Sequence, residues 1–385
     1  MKSLISKKYR AVQAGGLAES ADLAKSRGDI VDFTLGDPDI TTPRAIIEAA
    51  FRDALDGHTH YTESGGDAEL IDAIIDFQRD TYGIAWEAGN VFVTTSACHG
   101  MWLVLETMLD PGDEVLIIEP YFSPYADQVE MAGGVPVFVE TDPDRGFVPR
   151  IEDIREKVSE KTKAMIVNTP NNPSGLCLDE ETLRRLAALA EEEDFFIVAD
   201  DIYTAFSYDA PFVPMASFEA YRDRVITLRS FSKNFAMTGW RIGYILGDEN
   251  FIRAAKTVNE QNVYSAPSIS QRAALYALRH RDEVQPPLIE AFRTRTFHAY
   301  ERLSRLKNIR VSEPRGTFYI FVDVRPTGKS EEDVWKMLME EAGVLTVKGS
   351  AFGRSGEGFL RFAVTVDEEA IDRAFDRIEK MEIFQ

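Results

Sequence analysis

The sequence predicts an α/β fold with two parts. The larger is a domain with a mostly parallel, seven-stranded sheet between helices, and the smaller is an α+β domain formed by both chain ends. Three observations support this: short apolar runs alternate with amphipathic helical patterns, several runs are apolar throughout, and the last third mixes strands with helices. A run without alternation is typical of a parallel strand that is covered on both faces.

The strands of the predicted sheet come first along the chain, in a large domain over residues 45–275. They are predicted at 91–94, 114–118, 135–139, 164–167, 195–199, 225–228 and 242–246. Helical patterns lie between several of them, and 183–191 is an example, with Leu183, Leu186, Leu189 and Ala190 at helical spacing. These local patterns leave the strand order undetermined.

The final third predicts the smaller domain, made of residues 1–44 and 276–385. Helices are expected from 268 to 306, with a break at Pro286 and Pro287. A strand at 317–323, a helix at 331–341 and a strand at 359–364 follow. The last helix is expected after Asp367, where acidic residues suit a first turn.

Composition narrows the function classes. The chain has 385 residues, and 43 Lys and Arg against 64 Asp and Glu give a net charge of −21. This charge repels phosphate backbones and anionic lipids, so neither nucleic acid nor a membrane surface is an expected partner. Cys98 and Cys177 have no metal-site spacing and form no disulfide framework, so no metal is expected. Without an apolar signal segment or a run of about 18 apolar residues, we expect a soluble, cytoplasmic protein.

The predicted strands end in polar residues, where ligands bind in open α/β sheets. After 91–94 comes a turn of small residues that includes Ala97 and Cys98 and opens a helix. The helix-opening amides of such a turn suit an anion, although small residues also serve simply to make turns. After 164–167 comes a loop with two prolines and two asparagines around Asn172, which is either an ordinary turn or a rigid binding loop.

Two further strand ends carry ionisable groups. Asp200 and Tyr203 follow 195–199, and a carboxylate there either caps a helix or finds a partner in a site. Lys233 follows 225–228, between Ser230, Ser232 and Arg241. Most lysines extend their ammonium to solvent. A lysine among aromatic and small residues, at a strand end, is instead suited to Schiff-base chemistry.

Together these groups match the demands of pyridoxal 5′-phosphate. Helix-opening amides, Ser230, Ser232 and Arg241 could hold its phosphate, and Lys233 could form an imine with its aldehyde. Asp200 could pair with the protonated ring nitrogen, while Asn172 and Tyr203 could bond the ring oxygen. A lysine imine with an acidic partner for the pyridinium is what this cofactor requires.

At this point the sequence resembles the class I/II aminotransferases of the pyridoxal-phosphate fold type I superfamily, over nearly the whole chain. The resemblance lies in the segment 93–100, in Asn172-Pro173-Ser174-Gly175, in Asp200-Asp201-Ile202-Tyr203, and in Ser230-Phe231-Ser232-Lys233 followed by Gly239-Trp240-Arg241-Ile242-Gly243. Leu35-Gly36-Asp37-Pro38-Asp39 is similar to the family's substrate loop, and Phe359-Leu360-Arg361-Phe362 to its segment with a carboxylate-binding arginine.

The resemblance implies roles for individual residues. Lys233 holds the cofactor as an internal aldimine and then moves the proton of the substrate. Asp200 keeps the ring nitrogen protonated, and Asn172 and Tyr203 bond the ring oxygen. The amides of Ala97 and Cys98 bind the phosphate together with Ser230, Ser232 and Arg241. Phe122 stacks on the ring, and Gly36, Asn172 and Arg361 bind the substrate. Tyr61 reaches the phosphate of a partner subunit, which implies a homodimer.

One segment departs from the family pattern. In some aspartate-type relatives a basic residue in the phosphate turn helps to hold a distal carboxylate. Cys98 has no such charge, which leaves His99 as the candidate in this turn.

The resulting function is amino transfer between an L-amino acid and a 2-oxo acid, with an aromatic, aspartate or broad-range substrate. The same motifs fit a pyridoxal-phosphate-dependent C–S β-lyase, which is the alternative. Two further alternatives are a domain that binds the cofactor as a sensor without turnover and a structural α/β protein. Substrate preference is expected to depend on loops such as 8–16 and 262–267.

Overall fold

The computed structural model describes residues 4–6, 9 and 29–385. It contains the predicted α/β architecture, in which a seven-stranded sheet lies among helices and smaller sheets lie beside it. The specificity loop predicted at 8–16 falls outside the described residues except for Tyr9. No helix in the described part of the chain combines the length and the apolar character that a membrane crossing needs.

The strands and helices from the first described element to the end of α9 are as follows. The strands are β1 (Val31–Asp32), β2 (Val91–Thr94), β3 (Glu114–Ile118), β4 (Val135–Val139), β5 (Thr162–Asn168), β6 (Phe196–Asp200), β7 (Val225–Ser230) and β8 (Gly243–Leu246). The helices are α1 (Arg44–Leu55), α2 (Ala68–Tyr82), α3 (Ser96–Met108), α4 (Pro124–Met131), α5 (Ile151–Arg155), α6 (Glu180–Glu192), α7 (Glu249–Glu260), α8 (Ser268–Arg279) and α9 (Arg281–Ser304).

The remaining elements follow α9. They are β9 (Tyr319–Asp323), α10 (Glu331–Met337) continued by a π-turn (Leu338–Ala342), β10 (Val344–Leu345), β11 (Val347–Lys348), β12 (Phe359–Ala363) and α11 (Glu368–Ile378). Among the 3₁₀ turns, Thr204–Phe206 and Thr238–Trp240 flank the region where the large-sheet strands end.

The large sheet has the strand order β2-β8-β7-β6-β5-β3-β4, and only β8 runs antiparallel to its neighbours. The reversal of β8 agrees with its connection, because residues 231–242 contain a 3₁₀ turn but no α-helix, and parallel strands are usually joined by a helical crossover. In this register Asn168 of β5 pairs with Asp200 of β6, and Asp200 pairs with Leu228 of β7. Three strand ends therefore lie side by side.

The predicted helix at 183–191 illustrates how the sheet is covered. It is α6, which begins after Asp179, whose side chain accepts a hydrogen bond from the amide of Thr182. Its buried residues are Leu183, Leu186, Ala187, Leu189 and Ala190. Each leucine contributes about 1.5–3 kcal/mol through removal of its side chain from water, so the apolar stripe fixes this helix on the sheet.

The break predicted at the two prolines is wrong. α9 runs through Pro286 and Pro287, and the interruption lies at His280, where φ is −116° and ψ is 22°. A proline inside a helix costs about 3 kcal/mol. Burial of Leu288, Phe292 and further residues of α9 offsets this cost, because tertiary packing outweighs local propensity.

The smaller sheets join distant parts of the chain. β9, β11 and β12 form an antiparallel sheet in the order β11-β12-β9, and β1 pairs in parallel with β10. Val31 and Phe33 share a hydrophobic cluster with residues of β12 and α11. The boundaries at residues 44/45 and 275/276 stay a prediction.

Candidate active site

A cavity of about 340 Å³ lies where β5, β6 and β7 end. The predicted site residues were drawn from segments far apart in sequence, and all of them except Tyr61 line this cavity. They are Gly36, Ala97, Cys98, Phe122, Asn172, Asp200, Tyr203, Ser230, Ser232, Lys233, Arg241 and Arg361.

Lys233 lies in the loop after β7, and its Nζ donates a hydrogen bond to the carbonyl oxygen of Gly36. Burial lowers the pKa of the Lys233 ammonium to about 8, an effect opposed by the carboxylate of Asp37 and reinforced by Arg361 and Arg241. The amine is therefore much more readily deprotonated near neutral pH than an exposed lysine. A neutral amine is the form that attacks a carbonyl carbon.

Asp200 ends β6 and is 5% exposed. Its Oδ2 accepts a hydrogen bond from the hydroxyl of Tyr125, whereas its Oδ1 is buried and has no partner. Burial raises the pKa of the Asp200 carboxyl to about 6, and the hydrogen bond from Tyr125 opposes this rise. A buried carboxylate oxygen without a donor is costly, so a cationic N–H placed in the cavity would be stabilised there.

Arg361 is on β12 and is 2% exposed, so the cavity has a fully buried guanidinium in its wall. Nη1 donates to Oδ1 of Asn172 at 2.9 Å, and Nη2 donates to the carbonyl oxygen of Thr34 at 2.5 Å. Its planar group lies over the rings of Tyr319, at 4.6 Å, and Phe352, at 4.9 Å. The Nε is buried without a partner. Such a rigidly held fork suits a carboxylate.

Tyr203 lies beside this arginine, and its hydroxyl is 3.0 Å from the hydroxyl of Tyr319. Burial raises the pKa of the Tyr203 phenol well above its usual value, and the nearby Arg361 opposes that rise. The phenol is thus neutral at physiological pH and able to donate a hydrogen bond into the cavity.

The end of the cavity formed by Ser96, Ala97 and Arg241 is suited to an anion. Ser96 has a φ of 73° and begins α3, so the first amides of this 13-residue helix are free of helical partners. Gly243 makes this geometry possible, because a Cβ there would lie 2.8 Å from the amide nitrogen of Ala97. Arg241, with a φ of 52°, completes this end, and its Nη1 donates to the carbonyl oxygen of Thr238 at 2.8 Å.

The structure adds residues that the sequence reasoning missed. Tyr125, Asn168 and Tyr319 also line the cavity. Asn168 ends β5, where its Nδ2 donates to the carbonyl oxygen of Asp200 at 2.8 Å and its Oδ1 accepts from the amide of Asn172 at 2.9 Å. Its position at a strand end could have identified it. Tyr319 had no such signal, because its part in the cavity depends on packing between distant segments.

Two predicted site residues, Phe122 and Tyr61, differ in their position relative to the cavity. Phe122 lines the cavity and packs edge-on against Tyr125, with 5.6 Å between ring centroids. Tyr61 is 86% exposed and lies outside the cavity, with its ring against that of Tyr264. Its reach into a partner subunit stays a prediction. Within the described ranges, no three His, Cys, Asp or Glu side chains are grouped so as to hold a metal ion.

Comparison with known proteins identifies the family of this chain. The family model described as aminotransferase class I and II matches residues 28–378. An aspartate aminotransferase of Pyrococcus horikoshii is 34% identical over 382 residues, which cover 98% of this chain and 97% of the relative.

Solved structures of aminotransferases have the same fold as this chain. The aspartate aminotransferase of Thermus thermophilus with maleate has a TM-score of 0.92 at 34% identity, and covers 98% of this chain and 99% of its own. The aromatic aminotransferase of Pyrococcus horikoshii has a TM-score of 0.88 at 32% identity, covering 94% and 98%. The predicted fold and family are confirmed, and the chain belongs to the class I and II aminotransferases.

Proposed function

We propose that this aminotransferase moves an amino group between an L-amino acid and a 2-oxo acid, with pyridoxal 5′-phosphate bound in the cavity. The observation that carries the proposal is that Lys233 and Asp200 line the same cavity. One is an amine with a lowered pKa, of about 8, and the other has a carboxylate oxygen without a hydrogen-bond donor.

The donor set fits the cofactor at three points. The partnerless Oδ1 of Asp200 suits a protonated ring nitrogen, and the hydroxyl of Tyr203 with the amide of Asn172 suits the ring oxygen. The amides that open α3, with Arg241, suit a phosphate. When bound, pyridoxal phosphate supplies a ring that accepts electrons from the substrate carbon.

Each residue of the site then has its own role in the proposed reaction. Lys233 would hold the cofactor through its aldehyde carbon, and its free amine would move the proton between the substrate Cα and the cofactor as a general base and acid. Arg361 binds the α-carboxylate and is oriented by Asn172 and by the carbonyl of Thr34. Phe122 lines the same cavity and would pack against the ring of the bound cofactor. Orientation by fixed groups supplies a large share of the rate in such a site.

A β-lyase uses the same lysine and aspartate, so these residues alone do not separate the two reactions. The relatives favour amino transfer, since three that are 34–36% identical to this chain are named as aminotransferases. Formation of pyruvate and ammonia from cystathionine, without amino transfer to 2-oxoglutarate, would contradict the proposal.

The central experiment replaces Lys233 with alanine in the cofactor-loaded enzyme. We expect loss of the visible absorbance of the bound cofactor and a fall in amino transfer of at least about 10³-fold, because both covalent attachment and proton transfer are removed. Lys256→Ala is the control, since Lys256 is another partly buried lysine that does not line the cavity. Full activity of Lys233→Ala would refute the assigned role.

We also propose a homodimer in which Tyr61 reaches the phosphate of the partner subunit. The exposed, paired rings of Tyr61 and Tyr264 support this, because two large side chains stand together at the surface. Light scattering should give twice the 43.3 kDa of one chain, and Tyr61→Phe should weaken cofactor binding without changing that mass. A cytoplasmic location is proposed as well, and cell fractionation tests it.

A further inference from the structure

If the proposed function holds, each positively charged side chain of the cavity already binds part of the cofactor or the α-carboxylate of the substrate. Among the described residues that line it, the cations are Lys233, Arg241 and Arg361. Lys233 serves the cofactor aldehyde, Arg241 lies at the anion end, and Arg361 serves the α-carboxylate. Within the described lining of one subunit, a second carboxylate on the substrate would therefore find no uncommitted cation.

The cavity also contains negative charge. The carboxylate of Asp37 lines it, as does that of Asp200, which the proposed function pairs with the ring nitrogen of the cofactor. Oδ1 of Asp37 accepts a hydrogen bond from the hydroxyl of Thr238 at 2.6 Å, which fixes this carboxylate at the rim. Its charge raises the pKa of Lys233, so its field reaches the reacting amine. A further anion near it would be repelled.

His99 does not supply the missing charge. Its ring stacks on that of Trp102, with 6.0 Å between centroids, and both ring nitrogens are buried without partners. Burial lowers the pKa of the imidazole, so the ring is neutral at physiological pH. It is also not among the residues that line the cavity.

The remaining wall has both polar and apolar side chains, since Gln128, Asn168 and Thr238 line the cavity as well. Its apolar part includes Leu35, Met101 and Ile202, and Leu35 is 48% exposed at the rim. An apolar substrate side chain gains by covering these groups, at roughly 25 cal/mol per Å² removed from water. A carboxylate placed against them loses its hydration without gaining a partner.

We infer that this cavity selects amino acids with an uncharged, apolar side chain, aromatic ones included, over aspartate and glutamate, and that Leu35 is a specificity-determining residue. The inference rests on the proposed function. It departs from the aspartate aminotransferases among the relatives, one of which was solved with the dicarboxylate maleate.

The first test compares half-reactions of the cofactor-loaded enzyme with phenylalanine and with aspartate. The measurement is the loss of the visible cofactor absorbance after mixing with one amino acid at a time. We expect phenylalanine to exceed aspartate in kcat/KM by about 100-fold, because a buried carboxylate without a cation is strongly disfavoured. Equal or faster conversion of aspartate would overturn the inference and leave the proposed function intact.

Binding of unreactive analogues gives a readout that needs no turnover. We expect 3-phenylpropionate to bind the loaded enzyme more tightly than maleate does, by calorimetry. If neither amino acid were converted, the proposed function would fail, and the two dissociation constants would still decide the inference. Tighter binding of maleate would contradict it.

A charge at the rim tests Leu35 directly. Leu35→Lys should raise kcat/KM for aspartate relative to phenylalanine by about 10-fold, since it adds the missing cation. Val135→Lys is the matched control, because Val135 is an apolar residue of similar exposure, 45%, on the edge strand β4 away from the cavity. An equal change in both variants would show a general charge effect and refute the role of Leu35.

Discussion

The hydroxyl of Tyr125 offers the sharpest test of how the cavity holds its cofactor. It donates a hydrogen bond to Oδ2 of Asp200, and both groups are buried. Tyr125→Phe removes this donor while it keeps the ring that packs against Phe122. The carboxylate of Asp200 would then have neither oxygen bound by a side chain, because Oδ1 has no partner already.

The expected magnitude follows from the kind of bond that is lost. A hydrogen bond to a charged group contributes about 1.5–3 kcal/mol, which corresponds to an affinity change of about 10- to 100-fold. Because the hydroxyl opposes the rise in the pKa of Asp200, its removal raises that pKa further above about 6. The carboxylate would become neutral at a higher pH than in the wild type, and a neutral carboxyl attracts a pyridinium weakly.

The assay is a titration of the cofactor-free protein with pyridoxal phosphate at several pH values. Wild-type affinity should fall as the pH drops through about 6, where Asp200 takes up a proton. In Tyr125→Phe the fall should begin at a higher pH, and binding should be about 10- to 100-fold weaker at neutral pH. Tyr208→Phe is the control, since the hydroxyl of Tyr208 donates to the carbonyl oxygen of Thr317 at 2.6 Å and Tyr208 does not line the cavity.

Unchanged affinity together with an unchanged pH profile would refute the assigned role of Tyr125. A loss of the same size in Tyr208→Phe would also refute it, because the effect would then reflect general destabilisation. Circular dichroism of all three proteins shows whether each is folded before binding is compared.

Three other substitutions test separate parts of the structure. Arg361→Lys should raise KM for the amino acid by about 10- to 100-fold with cofactor binding kept, since lysine lacks the bidentate fork, and saturation kinetics measure this. Gly36→Ala places a Cβ 1.9 Å from the hydroxyl of Tyr319, so amino transfer should fall at least about 10-fold, with partial recovery in the double variant with Tyr319→Phe. Arg229→Met should lower the free energy of unfolding by about 3–5 kcal/mol in denaturant titrations, because it leaves the buried Asp201 unpaired, and Asp201→Asn in the same chain should restore part of it.

Local pattern was enough to predict the residues at the strand ends. The runs that became β5, β6 and β7 are apolar throughout, and strands of this kind lie side by side with their carboxyl ends together. Asn172, Asp200 and Lys233 each follow such a run, so their approach to one another followed from the class of sheet. Their common cavity did not require knowledge of the strand order.

Residues that reach the cavity through tertiary packing could not be predicted in this way. Tyr319 approaches Tyr203 across 116 positions of sequence, and Thr34 meets Arg361 across 327. No neighbouring motif marks Tyr319, and Thr34 lies beside the segment 35–39, which only the family resemblance singled out. Arg361 itself was also identified only through that resemblance. The prolines of α9 show the converse case, in which a strong local signal was overridden by burial of the helix face.

The net charge of −21 and an anion-binding cavity are compatible because electrostatic interactions are local. At physiological ionic strength, exposed charges are screened over about 8 Å, so surface carboxylates beyond that distance contribute little to the potential in the cavity. Arg361 and Lys233 act across short distances in a buried space, where charges interact more strongly than in water. Asp37 lines the cavity and its charge raises the pKa of Lys233, so this nearby carboxylate affects the reacting amine whereas distant surface carboxylates contribute little.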